Sequence, residues 1–444
     1  MTNSELINTK IDFRGKTFKK FFVNTSWLFT EKVLKLLVNF IVGVYVVRYL
    51  GLVRNGMLAY ALSVIGILSA ITTIGLGDII IRELLADTKN RDKILGTSFF
   101  LKIFSAVIIY GLIVIYYFYN RDIQNLLLLI IAGSIIFKPF EVIESYFKSQ
   151  VQSKYPVLIK TISVILTDCG KIFLILFQMP LIYFGALAFA EIFLAAVGFL
   201  IIFKTQKLSV FQWRFDWNIA RSLFRDSWPL MFSSLAVTIY MKVDKIILKE
   251  MLGDASVGLY DAAVRLCEGW YFIPVAISSS LFPAIISAKK MSAQLYNARL
   301  QKLYDLLAWI SILIAIPISL FSRQIIHFLY GADFIEASLV LTIYIWAGVP
   351  VFLGTANSQY LIAENYTRIS LVRTISGMVL NIVLNIILIP RMGVIGAAVA
   401  TVVSYSCATF FIVFIPKTRK QISMMIKSIL FYNFAKFIFI KRKR

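Results

Sequence analysis

Apolar runs of about 20 residues follow one another along this chain with only short polar breaks, and few folds accept that pattern. About 20 helical residues cross a hydrocarbon core, where each backbone polar group must be satisfied within its own segment. The runs are continuous and do not alternate as the lipid-facing strands of a barrel would. They predict an all-α polytopic membrane protein with about 12 transmembrane helices. The spans are 22–49, 57–78, 95–119, 124–147, 156–177, 181–203, 226–248, 256–287, 303–330, 335–362, 369–389 and 394–415. Charged residues make up 16% of the 444, too few to cover a soluble domain of this length.

The placement of the cations orients the spans. Lys10, Arg14, Lys16, Lys19 and Lys20 precede the first span, and Arg82, Lys89, Arg91 and Lys93 fill the second connection. Lys204, Lys207, Arg214, Arg221 and Arg225 lie in the sixth, Lys289, Lys290, Arg299 and Lys302 in the eighth. The alternate connections hold little beyond Arg54, Arg121, Lys249 and Arg391. By the positive-inside rule both termini are cytoplasmic, in keeping with an even number of spans. The net charge of +23 is therefore mostly topological and gives no support to nucleic acid as a partner. The first 20 residues lack the short apolar core and small-residue cleavage site of a secretory signal. The three cysteines fall in apolar spans, so neither a disulfide framework nor a zinc pattern is in view, and nothing calls for a metal or cofactor.

The chain repeats itself. LIKTIS (158–163) returns as LVRTIS (371–376), and Ser26-Trp27 returns as Ser227-Trp228. Leu-Gly, four residues and Gly occur at Gly51 to Gly56 and again at Gly253 to Gly258. MPLIYFGALAFA (179–190) faces IPRMGVIGAAVA (389–400). The expected organisation is a basic N-terminus (1–21), a first six-helix bundle (22–203), a cytoplasmic linker (204–225) and a second bundle (226–416). A basic amphipathic tail (417–444) would lie along the anionic inner leaflet. Six is an even number, so the halves share one orientation, the parallel-repeat arrangement with a substrate site between them.

Ionisable groups in a bilayer cost about 2.5–3.5 kcal/mol each on insertion scales, so they face a bundle interior or a wet cavity. Here they form stripes. Lys160, Asp168 and Lys171 share a face of the fifth span, and Arg373, Asn381 and Asn385 repeat it in the eleventh. Span four carries Lys138, Glu141, Glu144 and Lys148, span one Glu31, Lys32 and Lys35, span seven Lys242, Asp244 and Lys245, and span eight Asp261, Arg265 and Glu268. Each stripe has a plainer reading. Lys160 and Arg373 can snorkel to headgroups, Asp261, Arg265 and Glu268 can form an ion-pair ladder, and His327 can pair with Arg323. The set as a whole indicates a shared aqueous cavity whose Lys and Arg suit an anionic cargo. Lys160, Lys171, Arg265, Arg373, Lys242 and Lys35 are the candidate cargo-binding residues. Asp168, Asp244, Asp261 and Glu268 are the candidates for ion coupling. Pro139, Pro274, Pro317 and Pro350 fall inside spans, where they can bend helices.

Three segments carry a resemblance: NTSWLFTEKVLKLLVNFIVGVYVVRYLG (24–51), GLGDIIIREL (75–84) and VGLYDAAVRLCEGWYFIPVAISSSLFPAI (257–285). They resemble the Wzx-type polysaccharide flippases of the multidrug/oligosaccharidyl-lipid/polysaccharide exporter superfamily, over about residues 22–416. The resemblance implies two six-helix bundles around an alternating-access cavity. It implies an undecaprenyl-pyrophosphate-linked oligosaccharide cargo, such as an O-antigen repeat unit, moved from the inner to the outer leaflet of a bacterial cytoplasmic membrane. It further implies an ion gradient as energy source, and a polysaccharide polymerase and other assembly proteins as partners. Arg265 and Glu268 fall in the matching VRLCEGW segment, Arg82 and Glu83 in IREL. A lipid tail can stay in the bilayer while a glycan headgroup cannot cross it unaided. Cations could hold the pyrophosphate, and Trp27, Trp270, Tyr271 and Tyr240 could stack on sugars.

The rivals are a multidrug cation antiporter of the same superfamily, which calls for a net acidic cavity, and a peptidoglycan-precursor flippase, usually of fourteen spans. A membrane glycosyltransferase or polymerase would show a large extracytoplasmic loop or an acidic catalytic motif, and the sequence offers neither. A phosphate-binding Gly-rich loop ending in Lys-Ser/Thr is missing, so the chain does not hydrolyse ATP in that way.

Overall fold

The structure, a computed structural model, describes residues 16–430, with side chains from Val38 onward except that of Thr367. Lys35, Glu31, Lys32 and Trp27 thus lie outside the described side chains, as does the tail from residue 431. The described residues are nearly all helical, with no strand among them. In chain order the helices are α1 Lys16–Thr72, α2 Gly77–Ala86, α3 Arg91–Tyr119, α4 Ile123–Ser149, α5 Lys154–Leu176 and α6 Leu181–Thr205. They continue as α7 Trp217–Leu252, α8 Asp254–Glu268, α9 Phe272–Met291, α10 Ala293–Leu320 and α11 Ser322–Tyr330. The last are α12 Ala337–Ala363, α13 Thr367–Met392, α14 Val394–Phe410 and α15 Arg419–Ile429. Among the described residues nine helical segments are long and apolar enough to cross a membrane. The nine do not include α5 and α7, which carry several of the charges singled out above, and the first two spans are joined into one segment.

The spans differ from the sequence expectation where charge was taken for a loop. Lys289, Lys290, Arg299 and Lys302 were expected in a connection, yet α9 runs to Met291 and α10 starts at Ala293, so all four are helical. Ser292 makes the turn, and its hydroxyl accepts from the amides of Gln294 and Leu295, satisfying two N–H groups at the start of α10. The ninth span therefore ends at Leu320, and His327 belongs to the separate short helix α11. Of the prolines singled out, Pro139 sits in a 3-10 turn, Lys138–Glu141, within α4, whereas α10 continues through Pro317. In α12 a 3-10 turn, Ile345–Ala347, comes just before Pro350.

Chain contacts divide the protein into two compact units, 1–43 with 68–232 and 44–67 with 233–444. In the first, α5 and α4 pack along α6. Its core joins Leu76, Ile80 and Leu84 to Leu95, Phe147, Phe199 and Phe203. In the second, α13 packs along α14, and α10 is enclosed by α9, α12 and α15. Tyr304, Leu307, Phe352, Leu353 and Met425 form its core. The start of the tail thus docks as α15: Ser428 donates to Asp305 at 2.6 Å, and its backbone carbonyl accepts from the Trp309 indole at 3.3 Å.

The repeated Leu-Gly turns have one geometry. Gly51 (φ 70°, ψ −178°) and Gly253 (φ 83°, ψ −178°) each redirect the chain between two helical stretches with no loop. That backbone region is essentially reserved for glycine. The glycines five residues on meet the opposite turn. A Cβ on Gly56 would overlap the Asp254 carbonyl oxygen, and one on Gly258 would overlap that of Leu52. Gly258→Ala is expected to cost about 2 kcal/mol through overpacking against backbone, seen as a lower unfolding temperature in lipid nanodiscs. Gly269→Ala, whose Cβ would meet its nearest neighbour at an ordinary 3.5 Å, should change nothing.

Candidate functional site

The two copies of the repeated helix treat their cation differently. In the first unit Lys160 forms an ion pair with Glu144 at 2.5 Å, and Lys148 holds the same carboxylate at 2.7 Å. Lys171 is paired with Asp168 at 2.6 Å. In the second unit Arg373, at the position of Lys160 in the repeat, reaches Ser358 instead, donating from Nη2 at 2.8 Å. Its Nη1 is buried with no hydrogen-bond partner, and no carboxylate pairs with it among the described residues. Eight residues further on, Asp168 of the first copy becomes Asn381 in the second. One charge is neutralised inside the protein; the other is left available.

Arg373 is only 9% exposed, and what exposure it has opens on a cavity of about 230 Å³ in the second unit. Tyr240, Tyr271 and Tyr405 line the cavity together with Thr355, Ser358 and Thr374. The hydroxyls of Tyr240 and Tyr405 are buried without a partner, and their rings lie 4.4 Å apart. Burying polar groups in this state costs free energy unless a ligand or water completes them. Of the aromatics singled out in the sequence, Tyr240 and Tyr271 are here, whereas Trp270 is exposed.

A second buried network surrounds Asp244, on α7. Its Oδ2 accepts from the Tyr260 hydroxyl at 2.6 Å and from Thr401 at 2.7 Å; its Oδ1 accepts from the Asn385 amide at 2.7 Å. All the donors are neutral, and no cation is within ion-pair distance among the described residues. Asn385 also donates to the Asn381 carbonyl, while Asn385 Oδ1 and both polar atoms of the Asn381 side chain lack partners. The result is one carboxylate beside two amide oxygens with spare lone pairs, a set of hard oxygens suited to a monovalent cation or a proton. No group of three or more His, Cys, Asp or Glu side chains converges among the described residues.

The remaining candidates are arranged as follows. Asp261 is the hub of a third cluster, bound by Lys245 at 2.5 Å, Arg265 at 2.9 Å and the Asn55 amide at 3.4 Å. Arg265 and Asp261 therefore have the ladder geometry their spacing suggested. Glu268, outside that pair, accepts from Tyr344 at 3.4 Å. Lys242 lies along Gly66, where its stem fills the space of a missing side chain. His327 and Arg323 both line an open cleft beside α11.

Sequence reading passed over Asn55, Ser358, Tyr260, Thr401 and Tyr405, whose roles depend on partners on other helices. It also passed over Glu191, which did leave a signal: it is the single acidic residue of α6. Glu191 lines a cavity of about 150 Å³ in the first unit with Glu141, Lys160 and Ser163. Nearby Lys102, only 4% exposed, is faced by Glu141, Glu144 and Lys138.

The fold has known counterparts. It matches a lipid II flippase MurJ in an inward closed conformation with a TM-score of 0.69 at 18% identity, over 92% of this chain and 91% of that one. It matches an inward-facing multidrug resistance MATE family transporter of the MOP superfamily with a TM-score of 0.72 at 15% identity, over 87% and 94%. At these identities the likeness speaks for the fold: a polytopic helical protein of two six-helix bundles. In sequence, a probable low-salt glycan biosynthesis flippase (Agl15) of Haloferax volcanii is 31% identical over 198 residues, 43% of this chain and 40% of that protein. The chain spans less than half the length of the curated relatives it matches. The family description "Lipid II flippase MurJ" matches residues 224–441. The description "Polysaccharide biosynthesis protein" matches residues 21–289, more than half of the chain, and the chain belongs to that family.

Proposed function

We propose that this protein is a flippase for lipid-linked glycans. It would take undecaprenyl-pyrophosphate-linked oligosaccharide repeat units from the inner to the outer leaflet of a bacterial cytoplasmic membrane by alternating access, with both termini cytoplasmic. The observation that carries this reading is Arg373, a buried guanidinium without a carboxylate partner, facing a cavity rich in hydroxyl groups. A buried charge left unpaired is expensive, and an anionic headgroup would offset that cost. A multidrug cation antiporter needs the opposite polarity, a carboxylate facing the cargo. The family match and the glycan flippase among the sequence relatives support the same choice.

Asp244 is the coupling residue in this scheme, because its carboxylate has neutral donors and spare amide oxygens around it. Asp168 and Asp261 are already held by lysine or arginine. The test uses liposomes containing the protein and an undecaprenyl-pyrophosphate oligosaccharide labelled on one leaflet. The label should reach the other leaflet only when the protein is present, and faster under an ion gradient. If it stays in place while a cationic dye is expelled, the antiporter is the correct reading.

A further inference from the structure

The charge of the unit-two cavity is small and its walls are aromatic, and together these restrict what it can hold. Arg373 is the sole cation among the described residues that line the cavity. Tyr240, on the cavity wall, feels the charge of both Arg373 and the Asp244 carboxylate. A pyrophosphate carries at least two negative charges. Seated here, it would meet one guanidinium and the field of a nearby carboxylate, leaving charge uncompensated in a low-dielectric site. A carboxylate carries one charge, and its two oxygens match the planar fork of a guanidinium.

The shape points the same way. The close pair of Tyr240 and Tyr405, with Tyr271, offers flat apolar faces of the kind that pack on a sugar ring, and leaves hydroxyls unpartnered at its edge. Thr355, Ser358 and Thr374 add hydroxyls on the walls. The first unit offers no equivalent, since the repeat counterpart of Arg373 is spent on Glu144. Of the matched cations Lys160 and Arg373, the one without a carboxylate partner among the described residues is thus in the second copy.

We propose that the cavity around Arg373 is a subsite for an acidic sugar of the cargo glycan, a hexuronic acid or similar carboxylate-bearing ring. The guanidinium receives the carboxylate and the tyrosines receive the ring. The inference rests on the flippase reading for its physiological meaning but makes a claim about binding that stands apart from transport.

Two undecaprenyl-pyrophosphate disaccharides, identical except that one sugar is glucuronic acid or glucose, would be compared for binding to the protein in nanodiscs. The uronate form should bind about tenfold tighter or more, the scale of a charge-assisted bidentate contact. Arg373→Gln should bring the ratio close to one, and Arg373→Lys should keep part of it. In parallel, sodium glucuronate, glucose and sodium pyrophosphate at equal ionic strength would be tested for raising the unfolding temperature. Glucuronate should do so in the intact protein and not in Arg373→Gln. Equal binding of the two disaccharides overturns the proposal. So does an Arg373→Gln variant that weakens both alike, or a larger Arg373-dependent shift from pyrophosphate, because either places Arg373 on the phosphates. Should glucuronate bind through Arg373 while no lipid-linked glycan crosses the liposome membrane, the subsite stands and the flippase reading fails.

Discussion

Asp261→Asn is expected to lower stability by about 3 kcal/mol, read as a marked fall in unfolding temperature in nanodiscs. Asp261 is 4% exposed and is the one carboxylate that holds both Lys245 and Arg265. Its removal leaves two cations facing each other with their counter-charge gone. The low end of the usual range applies because the Arg265 side chain is one-third exposed and so only partly buried. The double variant Asp261→Asn with Lys245→Met should recover much of the loss, since an apolar stem replaces an unpaired ammonium. This outcome would show that the charge of Arg265 is taken up within the internal cluster. An Asp261→Asn protein of unchanged stability would leave Arg265 and Lys245 free to meet cargo.

Asp244→Asn should leave the protein folded and reduce gradient-driven glycan transfer about tenfold or more, toward the rate without a gradient. The carboxylate has three neutral donors, and an amide can still accept from Tyr260 and Thr401, so packing is largely kept. What is lost is the negative charge that would attract a cation or take up a proton. Sodium and proton gradients applied separately would tell the two apart in the intact protein. Asn381→Leu provides the companion test: it removes an amide oxygen without touching the carboxylate, and should weaken the response to sodium more than the response to protons. Gradient-driven transfer that survives Asp244→Asn would remove Asp244 from the coupling path.

Much of this was legible in the sequence because the bilayer restricts the choices. Apolar length gave most of the spans, though the ninth ends at Leu320 and not at 330, and the duplicated Leu-Gly turns gave the two glycines that share one backbone geometry. Among the described side chains of the charged stripes, Asp168, Asp244, Asp261 and Arg373 are buried, as the cost of charge in lipid requires. What could not be read was which charges had already found each other. Lys160 and Arg373 look interchangeable in LIKTIS and LVRTIS, yet one meets Glu144 and the other Ser358, across a helix interface that spacing does not reveal. Loop and helix were also confused around Lys289 and Arg299, because long basic side chains serve a helix end as readily as a loop. Glu191 was overlooked since a lone acid forms no stripe.

The contact of Gly56 with Asp254 and of Gly258 with Leu52 is one contact made twice, related by the same shift of 202 residues. A patch that meets its own copy in this reciprocal way is how identical subunits join across a twofold axis. What is now an internal seam has the form of a dimer interface. A half-length ancestor could have used it to pair with itself, and duplication then tethered the pair. Once tethered, the copies were free to diverge, so that a carboxylate could be kept opposite Lys160 and dispensed with opposite Arg373. A symmetric dimer, bound to carry every change twice, could not have done this.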